Sequence, residues 1–186
     1  MKHIQTYLED LNAAINGLDL EKVQAVRDLV EAARDQDQQI FLCGNGGSAA
    51  TASHMANDLG KGASYGRAQR FRVVALTDNI PWMTALANDV SYEAIFAEQL
   101  RNLGQSGDVL FAISGSGNSQ NVLNAVEVAR EKGMKTIGWT GFDGGKLAGM
   151  VDLAIVAGSH HMGRVEDIHT VLMHLICYYF MEQVNQ

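Results

Sequence analysis

The sequence predicts an α/β fold in three layers, a parallel sheet covered by helices on both faces, and three observations predict it. Five short apolar segments rich in β-branched residues, at 40–43, 72–77, 109–114, 135–140 and 153–156, alternate with stretches of helical period. Parallel strands need a crossover between them, and the crossover is usually a helix, so this alternation implies parallel pairing. The chain of 186 residues also has the length of one domain with a real core, a single proline at Pro81, and no repeat or low-complexity tract.

Residues 3–16 place Ile4, Leu8, Leu11 and Ile15 on one helical stripe. After Gly17 a second helix begins at Asp19, a good N-cap, with Val23, Val26 and Val30 inward. Both precede the first strand, so residues 1–35 form a helical extension of a domain spanning 1–186, free to pack on a partner subunit or across the sheet edge. Further helices are predicted at 48–59, around 82–87, at 92–103 and at 118–132, where Lys132-Gly133 is a stop signal. Turns fall at 104–108 and 141–145. The last helix, about 164–183, is apolar nearly all round through Ile168, Val171, Leu172, Leu175, Ile176, Tyr178, Tyr179 and Phe180. One face of it is expected on the sheet and another on a second subunit.

Composition narrows the function. With 47% hydrophobic and 19% charged residues the chain is ordinary globular protein, and a net charge of −7 argues against nucleic acid as a partner. The N-terminus lacks a signal-peptide pattern and no apolar run approaches membrane-spanning length, so a cytoplasmic protein without membrane association is expected. Cys43 and Cys177 are unpatterned and expected to be reduced and buried, one at a strand end and one inside a helix.

The chemistry concentrates after the first and third strands. Gly44-Asn45-Gly46-Gly47 is a turn that lets backbone approach a ligand, and Ser48 then opens an Ala-rich helix. First-turn N–H groups have no intrahelical partner and lie at the positive end of the helix dipole, so a phosphate can be held there without Lys or Arg. Ser114-Gly115-Ser116-Gly117-Asn118-Ser119 repeats the device with three hydroxyls. Each stretch alone is equally well read as a turn and N-cap; two in one small domain favour a phosphate site at the carboxyl ends of the strands. Residues 44–49 also fit the dinucleotide pattern G-x-G-x-x-A, but Asp78, the acidic strand-end residue, comes more than 30 positions after Gly44, and 61–72 holds four basic residues and none acidic. No nucleotide cofactor is expected.

One turn beyond the first glycine stretch, His54 and Asp58 share a helix face. The last helix adds Glu166, His169 and His174, groups that are costly to bury unless paired or bound to metal. At 100° per residue Glu166 lies within roughly 80° of His174 and roughly 60° of His169, so geometry leaves either histidine to join it. Two imidazoles and two carboxylates would suit zinc or another divalent transition ion. His160 and His161 read as a solvated loop, and Asn88-Asp89 equally as a helix end or as groups for substrate hydroxyls.

These residues carry a resemblance. Cys-Gly-Asn-Gly-Gly-Ser at 43–48, Ala-Asn-Asp at 87–89, Ile-Ser-Gly-Ser-Gly-Asn-Ser at 113–119, Thr-Gly-Phe-Asp-Gly-Gly-Lys at 140–146 and Glu-Asp-Ile-His at 166–169 resemble the sugar isomerase (SIS) domain family, and within it the bacterial phosphoheptose isomerases. The resemblance implies a flavodoxin-like or Rossmann-like sandwich on a five-stranded parallel sheet, a homotetramer with sites shared between subunits, and aldose–ketose isomerisation of sedoheptulose 7-phosphate through an enediolate. It implies substrate contacts at Asn45, Gly46, Gly47, Asn88 and Asp89, and phosphate contacts at Ser48, Ser114, Gly115, Ser116 and Ser119. It implies metal ligands at His54, Asp58, Glu166 and His174, with Asp58, Glu166 and His174 catalytic, and so selects His174 over His169. Two positions depart from the family: Asp58 stands where it has a glutamate base, and Glu166 where it has a glutamine. The working base is therefore Asp58 or Glu166. The alternatives to this reading are a different phosphosugar as substrate, or a non-catalytic phosphosugar- or protein-binding regulator.

Overall fold

A computed structural model describes residues 1–183, so the last three residues of the expected 1–186 domain lie outside the described residues. Strands β1 (Gln39–Cys43), β2 (Arg72–Ala75), β3 (Val109–Ile113), β4 (Lys135–Thr140) and β5 (Leu153–Val156) form one parallel sheet in the order β2-β1-β3-β4-β5. Side chains alternate across it as the pleat requires. Ile40, Leu42, Val109, Phe111 and Ile113 enter one apolar cluster, and Phe41, Cys43, Leu110 and Ala112 enter the other.

The helices are α1 (Lys2–Asn16), α2 (Leu20–Asp35), α3 (Gly47–Asn57), α4 (Ile80–Asp89), α5 (Ala97–Leu103), α6 (Gln120–Glu131) and α7 (Met162–Glu182). Val26 and Val30 of α2, Met55 of α3 and Ile168, Leu172 and Ile176 of α7 fill the first cluster. Leu100 of α5 with Val122 and Val126 of α6 fill the second. Each such side chain, fully buried, contributes about 1.5–3 kcal/mol, which holds the three layers together. The helix after β1 thus packs on one face and the helix after β3 on the other. Because β1 and β3 are neighbours, with Cys43 beside Ala112, their loops diverge and open a crevice at the strands' carboxyl ends.

Boundaries differ from expectation where tertiary contacts intervene. The helix expected at 48–59 ends at Asn57, and the chain widens into a π-helical turn, Asp58–Gly62, closed by Ala63 N–H donating to the Asp58 carbonyl at 2.8 Å. Glycines at 60 and 62 ease that departure, and Gly62 is pressed against Met181 of α7, whose Cε would lie 2.1 Å from an added Cβ. The helix expected at 92–103 is interrupted: a 3-10 turn, Tyr92–Ala94, precedes α5, and the intervening bend drives Ile95 and Phe96 fully into the core. Strands expected to reach 77 and 114 stop at Ala75 and Ile113. α4 starts earlier than expected because Asn79 caps it, accepting from Trp82 N–H at 3.2 Å, and Pro81 fits its first turn; it runs on through Asn88 and Asp89.

Within the basic stretch 61–72, Arg67 donates to the carbonyls of Phe180 and Met181 at the end of α7, the second at 2.8 Å. Cys43 and Cys177 are free and buried, and desolvation pushes the Cys43 thiol up to about 12 and Cys177 upward as well, so neither is a thiolate. Among the described residues no helix is long and apolar enough to cross a membrane.

Candidate functional site

The two glycine corners lie side by side. At Gly44 an added Cβ would stand 2.7 Å from Ser48 Cβ and 2.9 Å from the Ile113 carbonyl, so only glycine lets the chain leaving β1 pass that close to β3. Gly46 takes φ +56, and the chain enters α3 at Gly47 with Ser48 buried behind it. In the second corner the hydroxyls of Ser114 and Ser119 are 3.0 Å apart and Ser116 Oγ accepts from Asn118 N–H at 3.2 Å. Gly115 accepts from Gly141 N–H at 2.9 Å and Gly117 from Leu147 N–H at 3.0 Å, tying this corner to the loop after β4.

A side-chain bridge joins the corners. Asn45 and Asn121 exchange two amide hydrogen bonds of 2.8 Å, and the Tyr92 phenol donates to Asn45 Oδ1 at 2.9 Å. Asn45, expected as a ligand-contacting arm, is also engaged as a tie between the first corner and α6. Sequence reasoning missed Asn121 and Tyr92, since contacts between positions 76 and 47 residues apart leave no periodicity to read.

On the far side of α3, ligand atoms of His54, Asp58 and His174 all lie within 4.8 Å of one another. His54 Nε2 is 3.4 Å from Asp58 Oδ2, and the His54 and His174 rings meet edge to face at 5.2 Å. The π-helical turn leaves Asp58 directly below His54 and buried. His169, the other histidine that spacing allowed, points into the protein: its Nε2 is 3.2 Å from the Thr140 carbonyl and burial lowers its pKa to about 4, so the neutral ring donates there. Glu166 is also outside the group. Its carboxylate packs on Gly47, where an added Cβ would be 2.6 Å from Oε1, so among the described residues His54, Asp58 and His174 come together and Glu166 stands apart from them. The reason is position along the helix: Glu166 lies two turns before His174, level with the start of α3 rather than its end.

A cavity of about 280 Å³ runs along α3 from Gly47 to His54, lined by Gly47, Ala50, Thr51 and His54 of α3 and by Glu166, Asp167 and Thr170 of α7. A more open one of about 620 Å³ lies over the outer face of α7 and is lined in part by His174. Asn88 and Asp89 are exposed, bonded to each other at 2.7 Å, and line neither. His160 and His161 are exposed, their rings meeting Phe142 and Tyr7 edge to face.

Two imidazoles and a carboxylate from two helices form an N,N,O set that could hold a divalent metal and leave it an open position. Fold and site thus define an α/β ligand-binding domain with its cleft at the β1/β3 switch point and a metal-capable group beside it. The model of the SIS domain family matches residues 5–141. The phosphoheptose isomerase of Helicobacter pylori is 38% identical over 176 residues, 95% of this chain and 91% of that protein. The phosphoheptose isomerase of a Nitratiruptor species is 43% identical over 152 residues, 80% and 78% of the two chains. The solved phosphoheptose isomerase GmhA from Neisseria gonorrhoeae superposes with a TM-score of 0.89 at 33% identity, covering 96% of this chain and 97% of that one. The chain belongs to the SIS domain family and, within it, to the phosphoheptose isomerases.

Proposed function

We propose that this chain interconverts sedoheptulose 7-phosphate and D-glycero-D-manno-heptose 7-phosphate. The observation that carries the reading is the convergence of His54, Asp58 and His174 beside a cavity that runs to the first glycine corner. A phosphosugar-binding regulator would need the corners but not that group.

The serine corner holds the phosphate through Ser114, Ser116, Ser119 and the backbone at Gly115 and the start of α6, with Ser48 adjacent, and its binding energy orients the far end of the sugar. His54, Asp58 and His174 would hold a divalent ion, which we infer to be zinc, and when bound it supplies positive charge against the negative charge that develops on the sugar oxygens. Glu166, outside that group and against the start of α3, is the carboxylate left free to take the proton alpha to the carbonyl and return it to the neighbouring carbon. We assign Gly46 and Gly47 to close backbone approach at that end, and Asn88 and Asp89 to sugar contacts in a site completed by a neighbouring subunit.

That assembly is a homotetramer of single domains, with residues 1–35 in its interfaces. Support comes from apolar surface left uncovered in one chain: Ile4 and Leu8 on α1, Leu175 and Tyr178 on α7, and Ile80 on α4, a helix none of whose residues is fully buried. The place of action we propose is the cytoplasm. The test is turnover by the purified chain with and without a chelator. Wild type is expected to isomerise the heptose phosphate and lose activity on chelation. His174→Ala should lose about 10³-fold in kcat while inorganic phosphate still binds. Retained wild-type rates in His174→Ala would falsify the assignment.

A further inference from the structure

Among the side chains lining the 280 Å³ cavity, Asp167 is held from outside both α3 and α7. The phenol of Tyr7, on α1, donates to Asp167 Oδ2 at 2.6 Å. Tyr7 is itself fixed on several sides. The Arg164 guanidinium stacks on its ring 4.9 Å from the centroid, His161 meets the ring edge to face at 5.5 Å, and an added Cβ at Gly163 would lie 3.1 Å from the phenol oxygen. Arg164 in turn pairs with Asp10 of α1 at 2.8 Å.

These contacts bind the N-terminal half of α1 to the first turns of α7, although Ala14 is the only residue that α1 buries. A largely exposed helix, which meets the core through Ala14, Leu11 and Ile15, is thereby anchored at the edge of the cavity as well. The consequence falls on Asp167. One of its oxygens accepts the Tyr7 hydrogen bond, which restrains the carboxylate; the other, Oδ1, makes no hydrogen bond among the described residues and belongs to a side chain lining the cavity between Gly47 and His54. A carboxylate oxygen fixed in this way is a directed acceptor for an alcohol O–H, and charge-assisted bonds of that kind are the stronger ones.

We propose that Asp167 binds a hydroxyl of the sugar chain and that Tyr7 is its positioning residue, so that the N-terminal helix takes part in substrate selection. This rests on the phosphosugar reading above. Its ligand chemistry is a polyhydroxyl chain carrying a phosphate at its far end; inorganic phosphate alone has nothing to offer Asp167.

The experiment is calorimetric titration of the full-length protein with sedoheptulose 7-phosphate and, separately, with inorganic phosphate. Asp167→Ala is expected to weaken the sugar phosphate about tenfold, Tyr7→Phe about three- to fivefold, and Asp167→Asn, which keeps an acceptor, to recover most of the loss. Affinity for inorganic phosphate should stay within about twofold of wild type throughout, a pattern that a merely structural role for the pair would not produce. Unchanged sugar-phosphate affinity in both Asp167→Ala and Tyr7→Phe overturns the proposal, as does a parallel fall for the two ligands. Turnover of the wild-type protein, measured on the same preparation, reports separately on the isomerase reading: binding without interconversion sinks that reading while the affinities still decide the role of the pair.

Discussion

The two glycine corners are built alike and end up electrostatically opposite. Each is the exit of a central parallel strand, a turn with a glycine at positive φ, Gly46 in one and Gly117 in the other, and the start of a helix. Over the second corner the chain places hydroxyls, Ser114, Ser116 and Ser119. Over the first it places a carboxylate, that of Glu166, delivered by a helix more than a hundred residues further on. Anion affinity at a helix start is therefore not a property of the local turn alone. A carboxylate already resting on Gly47 favours a division of labour, with the phosphate at the serine corner and the reacting carbons at the other.

Substituting alanine for a glycine in each corner breaks the comparison most sharply. At Gly117 the new methyl would stand 2.1 Å from the Gly144 carbonyl oxygen, which is backbone, and the residue keeps φ +66, so the loop after β4 must move. Gly117→Ala should cost about 3 kcal/mol or more, roughly 10 °C in Tm for a chain of this size, read by thermal melting. At Gly47 the atoms nearest the methyl are those at the end of the Glu166 side chain, which can swing aside. Gly47→Ala should therefore leave Tm within about 2 °C and instead lower kcat, because Glu166 loses its seat. Equal melting losses in the two variants would mean that Glu166 is rigidly fixed and the corners are not distinct in this sense.

A second prediction concerns what keeps Glu166 there. One turn along α7, His169 donates to the Thr140 carbonyl at the end of β4 and is held neutral by burial, with its pKa lowered to about 4. In the unfolded chain the ring titrates near 6.5, so as pH falls the unfolded state takes up the proton first. The stability due to the neutral ring is present above pH 6.5 and is lost between 6.5 and 4, amounting to about 3 kcal/mol over that window. Denaturant melts of wild type and His169→Gln at several pH values isolate it, since other groups cancel in the difference. The advantage of wild type over the variant should shrink by about that amount between pH 7 and 4; a constant difference would show that the ring is not excluded from protonation.

How far the sequence shows all this depends on the range of the contact. The strand pattern was legible because each strand's apolar residues are local, and the sheet order places the two corners at one edge as the alternation implied. His54 and Asp58 were legible as a pair from helical spacing. Spacing left His169 and His174 level, because what separates them is the Thr140 carbonyl, a tertiary contact; resemblance chose His174, and it is His174 that meets His54. Resemblance also put Glu166 with these residues; angle around a helix was legible, but the axial distance that leaves its carboxylate against Gly47 was not. The π-helical turn at Asp58 and the bend before α5 were missed for the same reason: packing against Met181 and burial of Ile95 and Phe96 decide them, against locally helical sequence.

The smallest effect tests whether the corners work as a unit. Asn45 and Asn121 exchange two hydrogen bonds across the gap between the first corner and α6, while Tyr92 holds Asn45 from the side. Asn121→Ala removes both bonds at roughly 1 kcal/mol each, but Tyr92 still donates to Asn45, so the protein should fold with a modest loss of Tm. What changes is the spacing between the serine corner and the group on the far side of α3, and with it the span that a phosphate-anchored sugar must bridge. KM should rise about three- to fivefold, and kcat should fall as well because the reacting carbons are held less well, whereas inorganic phosphate, which we assign to the serine corner alone, should bind as before. Asn121→Asp keeps the acceptor for Asn45 Nδ2, loses the donor and adds a negative charge beside the serines, so it should raise KM further and also weaken inorganic phosphate. If Asn121→Ala leaves KM and kcat untouched, the corners are positioned by the sheet alone and the amide bridge serves only stability.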